Sequence, residues 1–276
     1  MNVVWAVLIV AAVTAVAIGA LLLVRRGAPE GGYFADGDRA AGVFGVLATG
    51  FSVLLGFIVF LAFTSYDQSR TGAEQEALVL FQQVEDAQFF PPSVRGRLTG
   101  ELVCYGRSVV NDEWSRMRAG TQGDAINPWG VTLFRTLQTV QPRTATQQSA
   151  YDKWLDQTST REQARLDRIH GAVGVIPATL WIVLFFVASV IFVFMLFFAD
   201  HGERAVVQGM LIGSVTSVIV ALLLLLYALD DPFNSGIGGL KPTAMQRSLR
   251  MVDEALGSVG TSVQPPCNAL GRPVPS

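Results

Sequence analysis

The stretch Gly42–Phe63, GVFGVLATGFSVLLGFIVFLAF, runs without a proline into Thr64–Ala77, TSYDQSRTGAEQEA. Its first 22 residues carry only Thr49 and Ser52 as polar side chains. At ~1.5 Å per residue such a helix spans the ~30 Å hydrocarbon core of a bilayer. The charged continuation predicts one helix that leaves the bilayer and extends into water until Pro91-Pro92 end it. In the apolar half Gly45, Thr49, Ser52, Gly56, Val59 and Phe63 recur at steps of four and three, so they share a face. A face of that kind has two uses. Small residues let membrane helices approach closely. Alternatively, the face lines a pore, with Thr49 and Ser52 towards permeating ions and Phe60 or Phe63 as a hydrophobic constriction. The pore-lining candidates are therefore Gly45, Thr49, Ser52, Gly56, Phe60 and Phe63.

The rest of the 276 residues agrees with a membrane setting. Hydrophobic residues make up 51% and charged residues 15%, against roughly 25% charged in soluble domains. Val3–Val24 is a second apolar run, broken only by Thr14 and followed by Arg25-Arg26. It lacks a basic n-region and is too long for an h-region, so it reads as a span and not as a signal peptide. Ala178–Ala199 and Val206–Leu229 complete four spans. Small-residue ridges at Ala11, Ala15 and Gly19, and at Gly209, Gly213, Ser217 and Ala221, predict helix packing. Trp181 suits a membrane interface.

Between the second and third spans no strand-like alternation occurs. Helices are predicted from Ser93, as a cap, with Leu98, Leu102, Tyr105, Val109, Val110, Trp114 and Met117 inward; from Asn127-Pro128 to Val140; and from Thr144, with Tyr151, Leu155, Leu166 and Ile169 inward. Trp114, Trp129 and Trp154 read as packing residues. The fold class is all-α: an integral membrane protein with residues 1–63 as a first transmembrane hairpin and 64–173 as a helical-bundle soluble domain. Residues 174–229 form a second hairpin, and 230–276 a tail with one short amphipathic helix, mobile from Gly257 onwards.

The net charge of −2 gives no case for nucleic acid. Two cysteines and two histidines without metal-ligand spacing give none for a structural zinc. Nucleotide-loop and hydrolase motifs are absent, which argues against an enzyme and against a cofactor. No span carries an ionisable residue in its interior, which disfavours proton-coupled transport. Arg161, Arg165 and Arg168 share one helical face; they form either an anion-attracting vestibule or, the favoured reading, ion pairs with Asp67, Glu74, Glu76 or Glu85. Asp112-Glu113 reads as solvated or salt-bridged. Asp230, Asp231, Asn234 and Ser235 offer oxygen ligands of the kind Ca²⁺ takes, but with Pro232 and Gly236 they also make an ordinary capped turn, and no metal is assigned. The short loops hold Arg25, Arg26, Arg39 and Arg204, so the positive-inside rule leans the soluble domain to the extracytoplasmic side of the cell membrane. Arg70, Arg161, Arg165 and Arg168 pull the other way. Cys104 and Cys267 fall on the soluble-domain side, where they can form a disulfide.

Several of these landmarks together resemble the bestrophin-like membrane family. They are the glycine-bearing second span running into Tyr66-Asp67-Gln68-Ser69-Arg70 and Glu76-Ala77; Asp112-Glu113-Trp114; the arginine series before Ile176-Pro177 and Leu180-Trp181; and Leu229-Asp230-Asp231-Pro232-Phe233-Asn234-Ser235-Gly236. The last is the most specific, although Asp231 stands where that family more often has a basic residue. True bestrophins are similar in layout only. That resemblance implies a pentameric anion channel whose second span lines a hydrophobic neck, with small anions as partners. It also implies a cytoplasmic domain, against the loop charges here. The alternative is a non-conducting scaffold whose helical domain binds a protein.

Overall fold

The computed structural model describes residues 2–121, 126–236, 238–258, 260 and 263–274. In chain order the elements are α1 (Val3–Arg25), α2 (Gly37–Ala87), α3 (Pro92–Ser108), a π-helical turn (Val109–Glu113), α4 (Trp114–Arg118), α5 (Pro128–Leu137), α6 (Ala145–His170), a 3-10 turn (Gly171–Val173), α7 (Ala178–Leu196), α8 (Ala205–Asp230) and α9 (Thr243–Ser258). The described residues thus form an all-α fold. They divide into a membrane unit (Met1–Thr64, Gly174–Asp231, Ser235–Gly238) and a helical unit (Ser65–Val173, Pro232–Asn234, Gly239–Ser276).

Helices α1, α2, α7 and α8 are long and apolar enough to cross a membrane. In the membrane unit the glycine ridge of α8 seats α1. A Cβ on Gly213 would stand 3.2 Å from Ile18 and 3.4 Å from Thr14, and one on Gly209 would stand 3.7 Å from Ile18. The ridge predicted on α1 is not the one that packs. Ala11 and Ala15 are exposed, and Gly19 faces open space. Thr14, Ala17, Ile18 and Leu21 dock instead, because a groove made by glycines is filled by larger knobs and not by a second row of small residues. Helix α2 packs through Phe51, Leu55, Ile58 and Ala62 against Leu184, Ile191 and Leu226. At the short loops the Arg25 guanidinium donates to the carbonyls of Asp200 and His201, both at 3.0 Å, and to that of Glu203. Asp200 accepts from the N–H groups of Gly202 and Gly31. Those bonds, with Arg25 nearby, hold its carboxyl below the usual range.

In the helical unit Gly72 decides how close α2 and α6 lie. A Cβ there would stand 2.5 Å from the Arg168 nitrogen and 2.7 Å from the Ala164 carbonyl oxygen. The core is built on Leu80, Leu98, Leu102, Tyr105, Leu133 and Trp154. Asn127 caps α5 by accepting from Trp129 N–H, with Pro128 as its first residue, and Thr144 caps α6 through Gln147 N–H. Ser93 is not a cap. Helix α3 starts two residues earlier, at Pro92 with Pro91 as its cap position, because Pro92 fills a place where no N–H is needed. The predicted apolar face from Leu98 to Met117 is buried, apart from the half-buried Val110. The π turn inside it was not visible in the periodicity.

The tail departs most from expectation. Residues 263–274 do not trail away. Cys267 is disulfide-bonded to Cys104 on α3, 163 positions earlier. The Trp129 indole donates to the Gly271 carbonyl at 2.6 Å, and Asn268 accepts from Leu270 and Arg272 N–H. Gly271 has φ +77°, and a side chain there would collide with the backbone of Ser108. Proline- and glycine-rich sequence cannot bury a core of its own. Here a covalent bond and hydrogen bonds to α3 and α5 replace one.

Candidate functional site

The six pore-lining candidates on α2 are all exposed within the protomer. Phe60 is 63% and Phe63 51% accessible, and Gly45 and Gly56 have no atom within 4 Å of where a Cβ would sit. The face that packs on α7 and α8 is a different one. Ser52 satisfies its hydroxyl on the Ala48 carbonyl, one turn back, at 2.8 Å. Ser52 and Gly56 also edge an open cavity of about 430 Å³ within the membrane unit, bounded by Phe51, Leu55, Ser214 and Val218. This face is weakly polar, glycine-rich and uncovered by its own chain.

The three arginines of α6 are buried in the helical unit, with side chains 1%, 7% and 0% accessible for Arg161, Arg165 and Arg168. Arg168 donates to Glu76 at 2.5 and 3.1 Å and to Glu113 at 2.5 Å. Its Nη1 lies 3.3 Å from Met117 Sδ, and its guanidinium lies 5.8 Å from the centre of the Trp114 ring. Arg165 donates twice to Glu113. Arg161 donates to Gln83 at 2.7 Å and to the half-exposed Glu162, and its guanidinium stacks on Tyr105, whose hydroxyl donates to Glu76 at 2.6 Å. Of the expected carboxylate partners only Glu76 takes part. Glu74 pairs with Arg70, while Asp67 and Glu85 are exposed and have no ion-pair partner among the described residues. The reason is angular: 76 is on the inward side of α2, and 67, 74 and 85 are on the outward side. Glu113 was the missed partner. The π turn carries it into the core, where Asn127 also donates to it at 2.8 Å.

Electrostatics hold this network charged. Burial pushes the Glu113 carboxyl up, but Arg168, Arg165 and the hydrogen bonds from Arg168 and Asn127 outweigh it, and the net shift is downward. Burial likewise works against the Arg168 guanidinium, yet Glu76 and Glu113 raise it above its ordinary value. Burial, with Glu76 beside it, raises the Tyr105 phenol well above its usual range. A buried, paired network of this kind positions helices; its charges do not face water.

The Asp230 motif also closes on the protein. Asp230 Oδ1 accepts from the N–H groups of Val175 and Ile176 at 2.8 and 2.9 Å, and Oδ2 from the Trp181 indole at 3.4 Å. The carboxylate therefore fastens the lead-in to α7 and has few lone pairs left for a metal. In the helical unit Pro232 accepts from Leu240 N–H at 2.7 Å, and Phe233 is buried edge-on to Trp114 at 5.4 Å. Asp231 and Asn234 are half-buried or exposed neighbours of that turn. Among the described residues no group of three or more His, Cys, Asp or Glu is arranged to hold a metal ion.

Residues 11–245 match the Bestrophin-like domain. The chain belongs to the bestrophin-like family. No curated protein matches it in sequence. Among solved structures, one variant of a bacterial bestrophin homologue from Klebsiella pneumoniae superposes with a TM-score of 0.67 at 11% identity, covering 88% of this chain and 98% of that one. Another variant gives 0.61 at 12% identity, covering 95% and 100%. A crystal structure of a membrane protein gives 0.66 at 13% identity, covering 90% and 98%. At these identities the likeness is one of fold, and this bestrophin-like protein shares the four-span all-α fold with them.

Proposed function

We propose that this bestrophin-like protein is a homo-oligomeric ion channel of the cell membrane, not an enzyme, with the exposed face of α2 lining the conduction path. One observation carries this reading. Gly45, Thr49, Ser52, Gly56, Phe60 and Phe63 lie in a membrane-crossing helix but are left uncovered by the chain's other three spans. Ser52 satisfies its hydroxyl within its own helix, but exposed Thr49 and the bare backbone of Gly45 and Gly56 are left for neighbouring copies around an axis, and Phe60 and Phe63 provide a constriction that gates by dewetting. Family membership supports the same reading, and analogy with bestrophins favours a pentamer.

The helical unit is assigned to the extracytoplasmic side. The Cys104–Cys267 disulfide supports this, because such bonds persist in oxidising compartments, as do the arginines of the short loops. The bestrophin resemblance implies anions as the permeant species, but Arg161, Arg165 and Arg168 are spent on buried carboxylates and cannot supply that preference.

The test is purification, cross-linking to determine copy number, and ion flux after reconstitution in liposomes. Flux that rises when Phe60 or Phe63 is replaced by serine, which wets a dewetted constriction, supports the channel. A folded oligomer without flux overturns it and favours the scaffold reading, for which exposed Ile126 and Phe134 in the helical unit provide apolar contacts.

A further inference from the structure

Residues 263–274 form a strap across α3, and where the strap passes the first turns of that helix it leaves an open cavity of about 380 Å³. Both walls belong to the helical unit. The strap is seated closely on one side of the opening. A Cβ on Gly100 would stand 3.2 Å from Pro266 Cδ and 3.5 Å from the Gln264 carbonyl oxygen. Val274 N–H donates to the Pro266 carbonyl at 3.2 Å, and the disulfide to Cys104 holds Cys267, the next residue. Gly96, one turn before Gly100, has no atom within 4 Å of where a Cβ would sit. There the strap stands off, and bare backbone makes the cavity floor. The cavity holds positive charge that nothing balances. Among the described residues no carboxylate lines it. Arg95 lines it half-buried, and its guanidinium has no hydrogen bond or ion pair among the described residues. Arg97 gives only its Nε to Glu101, at 3.1 Å, and its Nη groups have no partner among the described residues. Positions two apart on a helix point to different sides, so the two arginines bracket the Gly96 floor. Gln264 adds a carboxamide, and Pro92, Val263 and Pro266 add apolar wall.

We propose that this cavity is a binding site for a small organic oxyanion, a carboxylate or a phosphate monoester carried on an apolar body. Guanidinium N–H groups match both head groups, and a half-buried guanidinium without a partner is a cost that such a ligand removes. The volume is that of a small-molecule pocket. Arg95 and Arg97 hold the charge from its two sides, and the Gln264 carboxamide donates to a remaining oxygen. The apolar body lies on Pro92, Val263 and Pro266. The site does not involve the conduction path, so it stands or falls separately from the channel reading.

The experiment is titration calorimetry of the full chain in detergent with benzoate, phenyl phosphate and inorganic phosphate. The expected result is saturable binding of benzoate or phenyl phosphate, with inorganic phosphate weaker than phenyl phosphate because it leaves the apolar walls unused. The ratio of the benzoate and phenyl phosphate affinities names the head group. Arg95→Gln should weaken binding about tenfold, and Arg95→Gln/Arg97→Gln should weaken it further. Arg135→Gln, at an exposed position of α5 outside the cavity, should leave it unchanged. The Arg95 guanidinium supports no other group, so Arg95→Gln keeps the fold, which a parent-like unfolding temperature checks. No saturable binding of any of the three anions overturns the inference, as does equal weakening by Arg135→Gln and Arg95→Gln. Inorganic phosphate bound as tightly as phenyl phosphate overturns the role of the apolar walls.

Discussion

Glu113 and Glu101 are both buried, yet their surroundings drive them in opposite directions. Glu113 faces two guanidiniums, and its folded pKa lies below its ordinary value. Its contribution to stability is complete above the unfolded glutamate value of about 4.3 and disappears as the pH falls through the folded value. Glu113→Gln leaves Arg165 and Arg168 short of a counter-charge. It should cost about 3–5 kcal/mol at neutral pH, the cost of breaking a buried pair, read as a lowered unfolding temperature in detergent that approaches the parent's only in acid. Glu101 has Thr136 and the exposed Arg97 as partners, and its Oε2 atom has none. Burial wins over these bonds and raises its pKa. The ionised form is thus a burden that appears as the pH rises through the folded value and is absent below about 4.3. Glu101→Gln keeps the acceptor for Thr136 and removes the buried charge. It should raise the neutral-pH unfolding temperature by about 2–4 °C for each kcal/mol recovered, and the gain should vanish in acid. A drop at neutral pH would mean that the Arg97 pair outweighs the desolvation.

At the scale of elements, the disulfide-bound strap and the π turn carry the interest. The Cys104–Cys267 bond closes a very long loop, and removing such a bond costs about 2–4 kcal/mol. Cys104→Ser/Cys267→Ser should therefore unfold earlier, and the strap should become the first site of proteolysis. The unaltered protein should show the same shift when reduced, and a strap that stays protected in the double variant would mean that Trp129 and Asn268 suffice to hold it. These features also mark where sequence reading stops. The four spans are legible because long apolar runs have one interpretation. The α5 and α6 caps are legible because Asn-Pro and Thr act through local chemistry. The ion-pair partners of the α6 arginines were only half legible. Helical phase separates Glu76 from Glu74 on paper, but Glu113 reaches Arg168 across 55 positions through a π turn that leaves no mark in the periodicity. The requirement for Gly72 comes from the backbone of another helix, so nothing in its local sequence marks it. The α2 outer face was legible as a stripe, but whether its own helices covered it needed coordinates.

For the molecule as a whole, the proposed membrane sidedness draws on two separate arguments, loop charge and redox chemistry. Arg25 is engaged by three carbonyls of the α7–α8 loop, so part of the loop charge serves structure; Arg26, Arg39 and Arg204 remain for the positive-inside bias. The disulfide is independent of that count, and it lies in the helical unit. Both native cysteines are consumed by it, which makes the chain free of reactive thiols and suited to labelling. A single cysteine introduced at exposed Glu85, in the helical unit, should react with a membrane-impermeant maleimide in intact cells. One at exposed Glu203, in the short loop between α7 and α8, should react only after lysis. In the same cells the full chain should run faster on a non-reducing gel than on a reducing one. The reverse labelling pattern would move the helical unit to the cytoplasm. There a disulfide spanning 163 positions would face a reducing pool, and the strap would have to hold by Trp129 and Asn268 alone.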